Sequence, residues 1–258
     1  MNRRTRTAMS FLVLLAALAT AHEARIAPEY APALERAAAR MNASAQDRLA
    51  PVYPAMADWV VERYGLAEMA GIGIDLGGGP GDLIVELATR TPALYWINAD
   101  INTHNFPYLY RKAESSKIAH RIGAVFADAH ALPFKENYAD IVVSRGTFQF
   151  WQEKPTAFGE IYRILKPGAV ALIGRGYTEN LEPAVAQAIR DKQGDGGPKY
   201  EIEETAAELR AIMKKLGIEP YRILVPEHER QPGVKYGIWL EIRKPHKPAY
   251  AKESKRTD

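Results

Sequence analysis

Asp75, Asp100, Asp128 and Ser144 each close a short apolar run, and the first of them leads straight into Gly77-Gly78-Gly79-Pro80-Gly81. A turn so poor in side chains lets a ligand lie against bare backbone N–H groups where a following helix begins. An amphipathic run, 82–88, supplies that helix. Polar residues at the ends of successive strands form one constellation when the strands are parallel, because ligands of open α/β sheets bind at the carboxyl ends. Four such ends are more specific than any one motif.

The residue types exclude several chemistries. Gly-Lys occurs nowhere, so a P-loop nucleotidase is ruled out. The dinucleotide fingerprint matches Gly77 and Gly79 but meets Asp82 where its third glycine belongs, and an acid is unfavourable beside a pyrophosphate. With no cysteine, disulfides, thiolate metal sites and cysteine nucleophiles are absent. No grouping of His, Asp and Glu has the spacing of a metal site.

The elements that must position these residues follow from periodicity. Strands are predicted over 72–76, 93–99, 121–127, 138–144, 169–173, 221–225 and 236–242, and helices over 33–41, 54–64, 82–88, 107–115, 156–165 and 202–216. Strands alternating with helices at this spacing predict an α/β sheet covered on both faces. Within 54–64, Met56, Trp59, Val60 and Tyr64 share one face and read as core. Composition agrees with one sizeable globular core: 258 residues, 47% hydrophobic and 25% charged.

Residues 1–21 have the parts of a secretory signal: Arg3, Arg4 and Arg6, an apolar run over 8–18, and Ala19-Thr20-Ala21. The expectation is a signal peptide or membrane anchor, giving an exported or inner-membrane-anchored chain with possible membrane association through its N-terminus. The alternative is a cytoplasmic protein whose true start is Met9 or Met41. Residues 22–50 read as a helical extension, either loosely attached or a lid, 51–244 as the main domain, and 245–258 as a basic disordered tail. The formal charge of +3 is carried by those first arginines, so the remainder balances to zero and no nucleic-acid partner is expected.

The pattern Asp75-x-Gly77-x-Gly79-x-Gly81 and the acids after it resemble the class I S-adenosylmethionine-dependent methyltransferases, in particular the methyltransferase type 11 or quinone-methyltransferase-like group. The match covers roughly 51–173. Asp100 falls nineteen residues after Gly81, where the family's ribose-holding acid stands. Asp128-Ala129-His130-Ala131-Leu132-Pro133-Phe134 is similar to the segment that meets the adenine, Ala139 to Ser144 to the fourth strand, and Arg163-Ile164-Leu165-Lys166-Pro167-Gly168 to the turn before the fifth. The resemblance implies a Rossmann-like, doubly wound, mostly parallel seven-stranded sheet with an antiparallel last strand, plus N-terminal helices. It implies S-adenosylmethionine as cofactor, bound by Asp75, Gly77, Gly78, Gly79, Gly81, Asp100, Ile101, Asp128, Ala129 and Ser144. A cofactor with an ammonium and no phosphate suits an acid beside the glycine turn, and one carboxylate at Asp100 can accept both ribose hydroxyls. Leu132 and Phe134 are placed to flank the flat adenine.

Methyl transfer requires alignment and exclusion of water more than a catalytic dyad. The acceptor side is expected after the fourth strand, in Ser144-Arg145-Gly146-Thr147-Phe148-Gln149-Phe150-Trp151. The related quinone methylators commonly place a histidine there; this chain has Arg145, the candidate catalytic residue, suited to an anionic acceptor or phenolate. His104 and His130 lie near the cofactor end. The expected function is methyl transfer to a small apolar or aromatic molecule. The alternative is a sensor, or a degenerate enzyme that binds the cofactor without transfer, since an exported protein would lack a cofactor supply. A further alternative is copper chelation by His22 were it the mature amino terminus.

Overall fold

The computed structural model describes residues 31–193 and 201–246. Seven strands form one sheet: β1 (Gly71–Leu76), β2 (Leu94–Asp100), β3 (Ile122–Phe126), β4 (Ala139–Arg145), β5 (Leu165–Gly176), β6 (Tyr221–Leu224) and β7 (Gly237–Arg243). Their order is β3-β2-β1-β4-β5-β7-β6. The pairs β3/β2, β2/β1, β1/β4 and β4/β5 are parallel, and β7 runs antiparallel to both β5 and β6. The doubly wound, mostly parallel sheet with an antiparallel last strand is therefore present, with β7 inserted between β5 and β6.

Helices α2 (Val52–Tyr64), α3 (Asp82–Arg90) and α4 (Phe106–Ser115) cover one face. Met56, Trp59, Ile84, Leu87 and Leu109 pack there against Trp96, Ile141 and Trp239. Helices α5 (Lys154–Ile164) and α7 (Ile202–Leu216) cover the other, burying Phe158, Ile161, Leu209 and Met213 against Ile74, Val142 and Leu240. Trp59 and Tyr64 serve packing, as their helical spacing implies; the Trp59 and Trp239 rings lie 6.1 Å apart. Helix α6 (Pro183–Gln193), which periodicity did not reveal, packs Ala186 and Ile189 against Tyr177 and Tyr236.

The first described helix, α1 (Ala31–Gln46), is longer than predicted and is closely packed rather than loosely attached. Leu34, Ala37, Ala38 and Ala45 are buried, and Asn102 Nδ2 donates to the Leu34 carbonyl at 2.9 Å.

Membrane association through the N-terminus, and with it an exported or inner-membrane-anchored location, is corrected here. Among the described residues no helix is long and apolar enough to cross a membrane. Helix α1, with sixteen residues, reaches about 24 Å against a hydrocarbon core of about 30 Å. It also carries Glu35, Arg36 and Arg40. The leader-like stretch 1–21, His22 and the tail 247–258 lie outside the described residues.

Candidate functional site

The glycine turn is held from beneath by the second strand. Gly77 N–H donates to the Ala99 carbonyl at 2.7 Å, which carries the β1/β2 pairing one step past Leu76. Asn98 Nδ2 donates to the Gly79 carbonyl at 3.0 Å, and Gly79 N–H donates to Asp100 Oδ2 at 2.8 Å. Gly77 has φ 68° and Gly79 φ 55°, the left-handed region that side chains disfavour. A Cβ at Gly77 would also collide with Thr147, and one at Gly79 would sit 2.8 Å from Met41 Cε of α1.

Asp100 is almost fully buried. Burial raises its pKa, opposed by the N–H groups of Asn102 (2.7 Å) and Gly79 and by Asn105 Nδ2 (3.3 Å). Asp128 projects from the end of β3, where its Oδ1 accepts the His130 N–H at 2.9 Å and lies 2.6 Å from His130 Nδ1. His130 Nε2 is buried without a hydrogen-bond partner. The Asp128–Phe134 segment is itself clamped from α5. Arg163 donates to the Phe134 carbonyl at 2.8 Å and the Leu132 carbonyl at 3.1 Å, while Glu160 accepts Leu132 N–H at 2.9 Å. Two motifs distant in sequence are thus one physical unit.

A cavity of about 380 Å³ opens at these strand ends. Of the expected cofactor residues, Gly77, Asp100, Ile101, Asp128 and Ala129 line it, and so does Arg145. The others lie behind its wall. Ser144 is buried, donating to the Leu76 carbonyl at 2.7 Å and contacting the Thr147 hydroxyl, so it joins the ends of β1 and β4. Asp75 is buried beneath Gly78, its Oδ2 without a partner, and burial, then the charges of Asp100 and Asp82, push its pKa up to about 8. Gly78, Gly79 and Gly81 shape the turn without lining the cavity.

The aromatic segment divides. Phe148 is core, whereas Phe150 and Trp151 line the cavity. Leu132 is core as well, and neither it nor Phe134 reaches the cavity. His130 is part of the wall and His104 is not. Asp140 has a structural role, accepting Ile72 N–H at 2.8 Å and Lys166 Nζ at 2.6 Å.

Sequence reasoning missed Asn98, Asn102 and Asn105, which brace Asp100 and the turn, and the α1 side chains Leu34, Ala37 and Met41 that roof the cavity. A second cavity of about 590 Å³ lies between α1, α2, α3 and α4, with Tyr53, Asp82 and Lys112 in its wall. Lys112 Nζ pairs with Asp82 Oδ2 at 2.7 Å and bonds the Pro80 carbonyl, fixing the far side of the turn.

These residues fit S-adenosylmethionine. The cavity has the size of a small-ligand site. Its acids stand on neighbouring strand ends, and the Asp75 and Asn98 side chains leave buried acceptor oxygens unmatched beside the turn.

Residues 74–173 match the Methyltransferase domain family. The chain is 30% identical over 155 residues to a malonyl-[acyl-carrier protein] O-methyltransferase of Geobacter sulfurreducens, a match covering 58% of this chain and 56% of that protein. It is 36% identical over 95 residues to a demethylmenaquinone methyltransferase of Thermus thermophilus, covering 37% and 42%. The chain thus spans about half the length of these curated relatives. Among solved structures, a Methanococcus maripaludis protein assigned to the S-adenosyl-L-methionine-dependent methyltransferases superposes with a TM-score of 0.72. It has 29% identity and covers 83% of this chain and 94% of its own.

Proposed function

We propose that this chain, which belongs to the class I S-adenosylmethionine-dependent methyltransferases and resembles their quinone-methylating group, transfers a methyl group from that cofactor to a small apolar or aromatic acceptor. The observation that carries the reading is the cavity of about 380 Å³, with the glycine turn on one side and Asp100 and Asp128 on the next two strand ends. When bound, the cofactor supplies a methyl carbon on a sulfonium, taken by an acceptor lone pair as the carbon–sulfur bond breaks to leave a neutral thioether. The chain's own residues bind, align and exclude water. Asp100 would hold the ribose by accepting from its hydroxyls, and Asp128, Ala129 and Ile101 would hold the base. Gly77 would offer backbone, the rest of the turn and Asp75 and Ser144 supporting it from beneath. The catalytic unit is residues 51–244, with α1 of the 22–50 extension as its roof.

Curated relatives do not fix the acceptor, for one is named for a malonyl carrier protein and another for demethylmenaquinone. A second reading, cofactor binding without transfer, is favoured by the cavity itself. At about 380 Å³ beneath α1 it is small, near the lower end of the roughly 300–1,000 Å³ of ligand sites. Its only imidazole among the described residues, His130, is turned toward Asp128.

Calorimetry with S-adenosylhomocysteine should show binding that Asp100→Ala weakens by about 10- to 100-fold, the worth of hydrogen bonds to a charged group. Equal affinity in the variant would sink the assignment. Incubation with methyl-labelled cofactor and extracted lipids, quinones and small phenols then separates the two readings: labelled product supports transfer, and binding with no labelled fraction supports the second.

A further inference from the structure

Among the described residues, Arg145 is the only lysine or arginine in the wall of the cofactor cavity. It ends β4, and its Nε donates to the Gly176 carbonyl at 3.2 Å. Its guanidinium carbon lies 5.6 Å from the centre of the Tyr53 ring. Those contacts hold the guanidinium by its Nε and by one ring face, while Arg145 contributes to the cavity wall.

No carboxylate among the described residues forms an ion pair with Arg145, and each neighbouring acid is otherwise engaged. Asp82 pairs with Lys112 at 2.7 Å. Asp75 is sealed beneath Gly78, its acidity suppressed by burial. Asp100 takes the Gly79 and Asn102 N–H groups, and Asp128 takes His130. Strand order separates the two ends of the cavity as well. Since β3 stands three places from β4, Asp128 is about 14 Å away along the sheet at ordinary strand spacing. The cavity is therefore polarised, with acids over β2 and β3 and one cation over β4. The segment after the cation gives the wall Thr147 and Gln152 together with two aromatic rings, Phe150 and Trp151.

A half-buried guanidinium without a counter-ion is costly unless a ligand completes it, and its planar fork suits two oxygens of one anion. Building on the methyl-transfer reading, we infer that the acceptor is an amphipathic anion, its apolar body against Phe150 and Trp151 and its carboxylate or similar oxyanion on Arg145. A neutral quinone would leave the guanidinium unmatched. The cofactor's own amino-acid carboxylate offers the same chemistry, so the test must tell the two sources apart.

The test titrates the full chain, first with S-adenosylhomocysteine and then, once saturated, with octanoate and cinnamate and with their neutral counterparts octanamide and cinnamamide. The acids should bind at least about tenfold more tightly than the amides, an ion pair's worth of discrimination. Arg145→Gln should abolish that preference and Arg145→Lys should keep part of it, with S-adenosylhomocysteine affinity within about twofold throughout. Equal binding of acids and amides by the unaltered chain, or binding of neither, overturns the inference without any variant. A tenfold or greater loss of S-adenosylhomocysteine affinity in Arg145→Gln also overturns it, assigning the guanidinium to the cofactor. Failure of the unaltered chain to bind S-adenosylhomocysteine in the first titration overturns the underlying reading instead, before any acceptor is added.

Discussion

Asp75 and Glu241 are buried to the same degree, each 1% exposed, yet the protein holds them in opposite electrostatic states. Glu241, on β7, is surrounded by donors. Its Oε1 accepts from Arg222 at 2.6 and 2.9 Å and from Arg243 at 3.0 Å, and its Oε2 accepts the Tyr64 hydroxyl at 2.9 Å. Burial pushes its pKa up, but Arg222, Arg243 and Tyr64 together outweigh burial and bring it below the ordinary glutamate value. Asp75 has no hydrogen-bond donor on its Oδ2, and burial, then the charges of Asp100 and Asp82, raise it to about 8. Asp75 and Asn98 are register partners on adjacent parallel strands, so two acceptor oxygens face each other's neighbourhood with no donor between them. Burial alone does not decide the state of a carboxylate; the donors folded around it do. Glu241 is held as an anion by its donors, whereas Asp75, without them, holds its proton.

The comparison can be broken at several points. The largest expected effect is on Glu241→Ala, which strands Arg222, Arg243 and Tyr64 around an absent anion. Arg222 and Arg243 are about half exposed and regain water, so the loss is set by the hydrogen bonds to the removed carboxylate, about 3 kcal/mol, to be read by denaturant unfolding. Because Glu241 does not line the cavity, S-adenosylhomocysteine affinity of the folded fraction should be unchanged; a parallel loss of affinity would show that the two regions are coupled.

Asp75 should give the opposite sign in pH. Its folded pKa lies above its unfolded value, so the folded chain retains a proton that the unfolded chain has released. Its contribution is fully present below the ordinary carboxylate range and is lost as pH rises toward about 8. Glu241, lowered on folding, loses its contribution only as pH falls below the ordinary glutamate value. Between pH 6 and 8 the ligand-free protein should lose about 2 kcal/mol through Asp75. Asp75→Asn should flatten that slope in melting curves, and an unaltered slope would place its cause elsewhere.

The smallest effect tests the turn above Asp75. Gly79→Ala forces a side chain into φ 55°, costing about 1 kcal/mol. It also presses on Met41 Cε, a movable atom, so Met41→Ala in the same chain should recover the steric part and leave the backbone part.

What the sequence made legible follows a physical divide. Strands β1 to β4 begin or end within a residue of their predicted bounds, because buried parallel strands are continuous apolar runs closed by polar residues. β5 starts earlier than predicted, at Leu165, because Lys166-Pro167-Gly168 reads as a break. In the structure that turn is an irregularity in the β4/β5 register, between Leu165 opposite Ala139 and Val170 opposite Ile141. The acids of the site were legible because each ends a strand. The roof was not: Leu34, Ala37 and Met41 lie in an alanine- and arginine-rich helix whose pattern names no partner. Asn98, Asn102 and Asn105 did leave a signal, three amides within eight residues of chain around Asp100, one of them inside a buried strand. A polar residue in such a strand must be bonded to something, and here it is the glycine turn.

The two ends of the described chain leave on different sides of the sheet. Helix α1 begins at Ala31, three residues before Leu34 of the cavity roof. Lys244 instead exchanges backbone hydrogen bonds with Gly168 and Ala169, near the amino-terminal end of β5. A fluorescent label near Gly168 therefore sits away from the cavity, whereas one near Ala31 sits beside its roof, where it would report the entry of a ligand.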